Sequence, residues 1–421
     1  MKIKNLVLKV LFVSVLSLLV FSCGGGEQNK ATVEKAKVEA GKVYKLGLSL
    51  AITGPTSDAG NPYSKGVEDF FKYVNDNNLL GKDTIDCTIR DDQYKTEITK
   101  RNFEDYVNQG IVLYLNYSTG STLGLKKDFE EVKIPVIPAS FHAGNLVDSN
   151  YIFLPIASYS DQTVGLAEYV VNHHRGAKPK VGLFIHPSAF GRGPVDDVKK
   201  SISAGLNINL IEVVEHGKDL DNTAMLKRLK SKGVQYVIIQ TIQSPVATML
   251  KDAARLGVAA KKFGERGKIT FLGAHYTGGN DLINLAGSAS ESFFWTTSYI
   301  ITSENSAGTF SQLALAKQYD RDDKAANSHN YANGVMVAQV AFEAIRRTKA
   351  KGLEVNRANL YNTLNEMNGI DAFFPVTTVG PVTFSKNDHA GVDTLQLYTV
   401  KNGAFKSVGK PFQSEYMKKI K

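Results

Sequence analysis

A single change of hydrophobic period between residues 44 and 75 constrains the fold more than any other feature of the sequence. The run KLGLSLAI at 45–52 is short and apolar, as in a buried strand, and residues 53–62 are rich in turn-forming Gly, Pro, Ser, Thr, Asp and Asn. Val67, Phe70 and Val74 then recur at helical spacing. Strand, polar loop and helix predict half of a βαβ unit, whose loop is where parallel sheets bind small ligands. By itself the stretch is equally compatible with a βα unit that binds nothing.

The same alternation repeats along most of the chain. Strand and helix patterns alternate through residues 84–137, the rhythm breaks at 151–162, and it resumes through 163–299, with a loop predicted at 190–193. Two successive series predict two doubly wound parallel sheets, an α/β architecture. A chain of 421 residues is long enough for this, because single cores rarely exceed roughly 250 to 300 residues.

The last third of the chain has a different pattern. Helical periodicity over 306–319, 331–349 and 357–367 is not interrupted by strands, so these helices must pack on a sheet that already exists. Short strands are predicted at 382–384, 395–401 and 404–408. The dipeptide Asn402-Gly403 between the last two predicts a hairpin.

The N-terminus has the pattern of an export signal. Lys2 and Lys4 precede an uncharged run at 10–21, well short of the roughly 20 apolar residues of a spanning helix. The sequence LVFSC at 19–23 resembles a bacterial lipobox. This resemblance implies that residues 1–23 are a lipoprotein signal peptide, that Cys23 is lipidated, and that residues 24–42 are a flexible tether. The alternative is a plain secretory signal with an incidental cysteine.

Four motifs follow the leader in a fixed order: GPTS at 54–57, YSTGS at 117–121, IPVIPAS at 134–140 and LKDAARLG at 250–257. Over residues 43–408 the chain resembles the type I periplasmic solute-binding proteins, specifically the branched-chain amino acid and amide-binding group that serves ABC importers. The resemblance implies two Rossmann-like lobes, joined by three crossovers, that close on a ligand. Lobe one would contain residues 43–158 plus 299–369, and lobe two residues 159–298 plus 370–421.

In amino-acid-binding members of this family, the loops after the third and fourth strands hold the ligand's carboxylate and amino groups. Carried over by position, these loops contain Ser118, Thr119, Gly120, Ser121, Ala139, Ser140 and Phe141. Amides at a helix N-terminus and hydroxyl donors suit a carboxylate. For the hydroxyl residues the alternative is N-capping of the following helix.

The second lobe departs from the family where the ligand's ammonium binds. His275, followed by Tyr276, stands where members usually have a Glu, and Phe190 matches a further aromatic position. A buried ammonium without its carboxylate costs roughly 3 to 5 kcal/mol, so an ordinary amino acid fits only if another acid, such as Asp58 or Asp161, substitutes.

We therefore predict that the ligand is a small carboxylate or amide with an aromatic or aliphatic body. The aromatic residues that could line its cleft are Tyr63, Tyr117, Phe141, Tyr159, Phe190 and Tyr276, although loop aromatics also serve simply as packing. Tight binding of leucine, isoleucine or valine would contradict this prediction.

No catalytic constellation is visible in the sequence. It has no phosphate-binding glycine loop with Lys, no His-Glu-x-x-His and no Gly-x-Ser-x-Gly elbow, and we interpret His329 as a helix cap. Basic residues are scattered among acids, which indicates a solvated surface and no nucleic-acid partner. We predict a monomeric, non-enzymatic periplasmic carrier without cofactor or metal, lipid-anchored through Cys23, that delivers its ligand to the permease subunits of an ABC importer. The alternative is a ligand-sensing subunit of a membrane receptor.

Overall fold

The computed structural model describes residues 40–217, 221–304, 306–370 and 378–420. Cys23, the predicted lipidation site, lies outside these ranges, as do the predicted signal peptide and most of the predicted tether. Within the described ranges, no helix combines the length and the hydrophobicity that crossing a membrane requires.

The first sheet is parallel and has the strand order β2-β1-β3-β4. Its central strand is apolar because helices cover it, and Leu46, Leu48 and Leu50 are fully buried. The strands are β1 (Val43–Leu50), β2 (Thr84–Asp91), β3 (Leu113–Asn116) and β4 (Val136–Pro138). The helices that follow them are α1 (Ser57–Asp76), α2 (Thr96–Asn108), α3 (Thr119–Gly124) and α4 (Lys126–Val132).

The second sheet has seven strands in the order β11-β10-β9-β8-β7-β5-β6. Its strands are β5 (Lys180–Ile185), β6 (Asn209–Glu215), β7 (Tyr236–Gln240), β8 (Thr270–Gly273), β9 (Phe294–Thr297), β10 (Leu395–Lys401) and β11 (Ala404–Phe412). Strands β5 to β9 are parallel, whereas β10 and β11 are antiparallel. The helices around it are α5 (Tyr159–His173), α6 (Ala189–Ser203), α7 (Thr223–Ser231), α8 (Gln243–Arg255) and α9 (Asn280–Ala286).

The predicted hairpin is confirmed. Asn402 and Gly403 have φ values of 55° and 71° and join β10 to β11, as a type I′ turn requires. The prediction for 382–384 is wrong, because this segment joins neither sheet and Thr383 forms only an isolated bridge to Asn368.

The late helices pack on the first sheet, as the sequence predicts. They are α10 (Ala307–Gln318), α11 (Asp323–Ala326), α12 (His329–Ala350) and α13 (Arg357–Leu364), and α14 (Glu415–Ile420) packs on the second sheet. Helix α12 crosses α1 closely, because Gly334 lets the backbone of Tyr63 approach and Gly66 does the same for Tyr331.

We call the first sheet with α1–α4 and α10–α13 the first lobe, and the second sheet with its helices the second lobe. The chain passes between them after β4, after β9 and between α13 and β10. The predicted fold class, two doubly wound α/β lobes joined by three crossovers, is confirmed. The residue boundaries predicted for the lobes stay a prediction.

Two helices begin earlier than predicted. Helix α1 already begins at Ser57 and α6 at Ala189, so the loop predicted at 190–193 is wrong. Each helix contains a proline as its sixth residue, Pro62 and Pro194, which the sequence pattern places outside or at the start of the helix. In α6 the carbonyl of Phe190, four residues before Pro194, instead accepts a hydrogen bond from the Gln240 side chain at 3.2 Å.

Candidate functional site

The carboxyl ends of seven strands, four from the first sheet and three from the second, converge on one gap between the lobes. The gap contains a small cavity of about 20 Å³. From the first lobe it is lined by Thr56 after β1, Tyr94 after β2, Tyr117 and Thr119 after β3, and Ala139 after β4. From the second lobe it is lined by Tyr159 at the start of α5, Phe190 after β5, Ile242 after β7 and Tyr276 after β8. This is where open α/β sheets hold small ligands.

The structure brings together some of the predicted site residues at this cavity but not all of them. Those that line it are Thr119, Ala139, Tyr159, Phe190 and Tyr276, together with Tyr117 of the predicted aromatic set, whereas Tyr63 of that set does not. The remaining predicted residues lie outside the lining: Ser118, Gly120, Ser121, Ser140, Phe141 and His275.

The hydroxyl residues outside the lining hold the first-lobe wall in place. Ser118 is the N-cap of α3, where its Oγ accepts the Ser121 N–H at 3.5 Å, so the capping alternative applies to this residue. The Asn116 amide donates to Ser121 Oγ at 3.2 Å. Thr119 Oγ1 lies 2.7 Å from Ser140 Oγ, which orients the one threonine of α3 that reaches the cavity.

The carbonyl oxygen of Ala139 connects the two lobes. It accepts hydrogen bonds from the Tyr276 hydroxyl at 2.7 Å and from the Tyr159 hydroxyl at 3.3 Å. The Asn333 side chain, on α12 of the first lobe, donates to the Tyr276 hydroxyl at 2.5 Å. Because both partners of Tyr276 belong to the opposite lobe, the structure represents a closed arrangement.

His275 lies behind the cavity wall instead of in it. Its backbone N–H donates to Gln162 Oε1 at 2.7 Å, and its fully buried ring contacts Phe141, with ring centroids 5.1 Å apart. Residues 275–277 form a 3₁₀ turn in which adjacent side chains point in different directions, so Tyr276 lines the cavity and His275 does not.

His329 is not the helix cap that we predicted. Ser328 is the N-cap of α12, and its Oγ accepts the Tyr331 N–H at 3.3 Å. The His329 ring instead lies 3.3 Å from the ring nitrogens of His275. Burial lowers the pKa of His329 to about 3, and burial together with His329 lowers the pKa of His275 well below 6.5. Both rings are therefore neutral at pH 7.

No lining side chain of this cavity carries a charge at neutral pH. Asp58 accepts a hydrogen bond from Ser244 in the opposite lobe, and Asp161 belongs to the capping box of α5, so neither proposed acid reaches the lining. Burial raises the pKa of Tyr94 to about 12 and that of Tyr276 well above 10.

Sequence reasoning assigned no site role to three lining residues, Thr56, Tyr94 and Ile242. Each follows the carboxyl end of a strand, and the rule that directed attention to the other loops could have found them. The described part of the chain has no group of three His, Cys, Asp or Glu residues placed to hold a metal.

Comparison with known proteins identifies relatives of the whole arrangement. The sequence profile of the family described as "Periplasmic binding protein" matches residues 43–404. A crystal structure of a branched-chain amino acid ABC transporter protein from Thermus thermophilus, with bound valine, is 41% identical, with a TM-score of 0.84 over 91% of this chain and 99% of that one.

Two curated relatives match a shorter stretch. A leucine-, isoleucine-, valine-, threonine- and alanine-binding protein of Pseudomonas aeruginosa is 23% identical over 61% of this chain and 67% of its own length. A Leu/Ile/Val-binding protein homologue of Brucella suis is 24% identical over 58% of this chain and 64% of its own length. The chain thus spans about two thirds of the length of these curated relatives.

Proposed function

The chain belongs to the periplasmic binding protein family, and on this premise we propose that it is the solute-binding component of an ABC importer. Its ligand, on this proposal, is a small amino acid-like carboxylate held between the lobes. The observation that carries the proposal is the cavity at the strand ends, which residues of both lobes line while Tyr276 and Ala139 join its two sides directly. A ligand that contacts both lobes favours the closed state over the open one.

The carboxylate fits the first-lobe side of the cavity. The first N–H groups of a helix have no intrahelical partner, and α3 begins at Thr119, whose hydroxyl is held by Ser140 beside the cavity. The body of the ligand would lie against Phe190 and Ile242 from the second lobe. The valine bound by the Thermus thermophilus relative supports a small amino acid as the ligand.

The transport cycle needs no chemistry on this chain. Ligand shifts the population toward the closed form, and a permease that distinguishes closed from open receives the loaded carrier. We further propose that Cys23 carries a lipid that keeps the carrier near its permease and so raises its effective concentration there. Mass spectrometry of the mature N-terminal peptide tests this: an unmodified cysteine, or cleavage elsewhere, would refute the anchor.

Calorimetric titration of the purified protein tests the ligand proposal. We expect saturable binding of valine, leucine or isoleucine, each of which requires the closed cavity of about 20 Å³ to widen around it. Replacing Thr119 by Val removes the hydroxyl at constant volume and should weaken binding about tenfold or more, because hydrogen bonds to charged groups contribute roughly 1.5 to 3 kcal/mol. The matched control is Thr88→Val on β2, outside the cavity lining.

The proposal has clear points of failure. If no amino acid or carboxylate binds, the assigned role is wrong. Equal losses in the Thr119 and Thr88 variants would remove Thr119 from the site. Binding of aromatic carboxylates without binding of valine would instead confirm the prediction that the sequence alone suggested.

A further inference from the structure

The cavity offers a ligand's ammonium no anionic partner. None of its nine lining residues is an Asp or Glu. Asp58 lies at the exposed start of α1, where Ser244 donates to its carboxylate. The Asp161 carboxylate accepts from the backbone N–H and the hydroxyl of Ser158, at 3.2 and 2.6 Å. A cation that leaves water for this cavity must therefore be stabilised by neutral groups.

The cavity is instead walled by five aromatic rings, those of Tyr94, Tyr117, Tyr159, Phe190 and Tyr276. They pack on one another as well as facing the cavity: the ring centroids of Tyr159 and Phe190 are 5.1 Å apart, and those of Phe190 and Tyr276 are 5.9 Å apart. Both lobes contribute rings, so the enclosure is complete only in the closed arrangement.

Three of the four tyrosine hydroxyls donate to carbonyl groups of the protein. Tyr276 and Tyr159 both donate to the Ala139 carbonyl, and Tyr117 donates to the Thr56 carbonyl at 3.3 Å. Burial raises the pKa values of all four, so none of them is a phenolate at neutral pH. A hydroxyl that donates can still accept a hydrogen bond, so the ring is the part of each tyrosine that can hold a cation without N–H groups.

On the basis of the proposed function, we propose that this cavity holds the ligand's ammonium against aromatic rings and therefore accepts carboxylates whose ammonium is N-methylated. A cation is attracted by the negative face of an aromatic ring, and this attraction uses no N–H donor. A site that binds the ammonium through a protein carboxylate needs N–H groups on the ligand that point at that carboxylate. Methyl groups on the nitrogen would push the ligand's nitrogen away from the carboxylate. The substrate class thus extends from primary amino acids to small betaines.

Three ligands of similar size separate the possibilities in calorimetric titrations of the full chain at pH 7.5. Valine carries its methyl groups on carbon, its isomer glycine betaine carries them on nitrogen, and 3-methylbutanoate is valine without the amino group. We expect glycine betaine to bind with a Kd within about tenfold of that of valine, and 3-methylbutanoate to bind at least about thirtyfold more weakly, as the loss of a desolvated cation–π contact implies.

Three other outcomes of these titrations would contradict the inference. If valine binds and glycine betaine does not, N–H donors are required, and the inference fails while the proposed function stands. If 3-methylbutanoate binds as tightly as valine, the cavity does not recognise a cation. If no ligand of this class binds, the proposed function fails as well.

Variants of Tyr159 distinguish the contribution of the aromatic ring to ligand affinity from that of the hydroxyl. Tyr159→Phe keeps the ring but loses the 3.3 Å hydrogen bond to Ala139, so it should weaken all three ligands to the same small extent, whereas Tyr159→Leu should weaken valine and glycine betaine at least tenfold more than 3-methylbutanoate. Phe190→Leu is a second test if Tyr159→Leu does not fold. Equal weakening of all three ligands by the leucine variant would show that the ring acts by packing, which would overturn the inference.

Discussion

The stability of this protein should fall steeply between pH 6.5 and pH 4 because histidines are buried in neutral form. His329 is buried where α12 meets the turn that contains His275, and burial lowers its pKa to about 3. His186 follows β5, and burial, with the nearby His216 and Arg192 adding to it, lowers its pKa to about 4. Both residues titrate near 6.5 once the chain unfolds.

The sign and the size follow from linkage. Below pH 6.5 the unfolded chain binds protons at both positions, whereas the folded chain does not until the pH approaches 4 or 3, so acid favours unfolding. Each histidine should therefore remove about 1.4 kcal/mol of stability per pH unit, which is about 2 kcal/mol at pH 5 relative to pH 7.5. His186 and His329 together should remove about 4 kcal/mol.

Urea unfolding at pH 7.5 and pH 5.0 measures this difference. We expect the variant His329→Gln to lose about 2 kcal/mol less than the unsubstituted protein over this interval, because it lacks one of the buried histidines whose pKa folding lowers. Asp281 accepts the His329 backbone N–H in both proteins, so its own titration cancels in the comparison. The substitution also lowers stability at pH 7.5, and only the change with pH is interpreted.

The matched control is His173→Gln, since His173 lies exposed at the end of α5. This variant measures the effect of removing a histidine that is not buried. Parallel pH profiles for the His329 variant and the unsubstituted protein would refute the reasoning, because they would mean that His329 binds a proton equally well in the folded and unfolded states.

Three further substitutions test contacts that join distant parts of the chain. Gly334→Ala places a Cβ 2.0 Å from the Tyr63 carbonyl oxygen and should destabilise by about 1 to 3 kcal/mol in urea unfolding. Arg321→Met removes the two hydrogen bonds of 2.6 and 2.8 Å that Arg321 donates to the Asp69 carboxylate, which is 2% exposed and keeps only the Tyr331 hydroxyl at 3.0 Å, and should lower the free energy of unfolding by about 3 kcal/mol. Tyr276→Phe removes the hydroxyl that joins the lobes and should weaken ligand binding roughly fivefold in calorimetry.

Each of these substitutions has a matched control. Gly120→Ala adds a Cβ no closer than 3.6 Å to its nearest neighbour, Lys72→Met breaks an exposed ion pair, and Tyr169→Phe alters a tyrosine on α5 remote from the cavity. We expect stability changes within about 0.5 kcal/mol for the first two and unchanged affinity for the third. Effects as large as those of the test variants would mean that the structure assigns these contacts wrongly.

Much of the fold could be predicted because local sequence specifies it. The period change near residue 53 gives β1 followed by α1, and Asn402-Gly403 gives the hairpin because few other residue pairs adopt two consecutive positive φ angles. Packing contacts decided the starts of α1 and α6. Each helix tolerates a proline as its sixth residue, and in α6 Gln240, distant in sequence, binds the carbonyl that Pro194 leaves free.

The candidate site, like the fold, could be predicted only in part from the sequence. The sequence by itself directed attention to the loops after β3, β4, β5 and β8, because the carboxyl ends of parallel strands share one edge of a sheet. Only the tertiary structure decided which residue of each loop reaches the cavity: Tyr276 instead of its neighbour His275, and Thr119 instead of Ser118. It also added Tyr94 and Ile242. The direction of each side chain is set by partners distant in the sequence, Ala139 for Tyr276 and Ser140 for Thr119, and no local pattern encodes those partners.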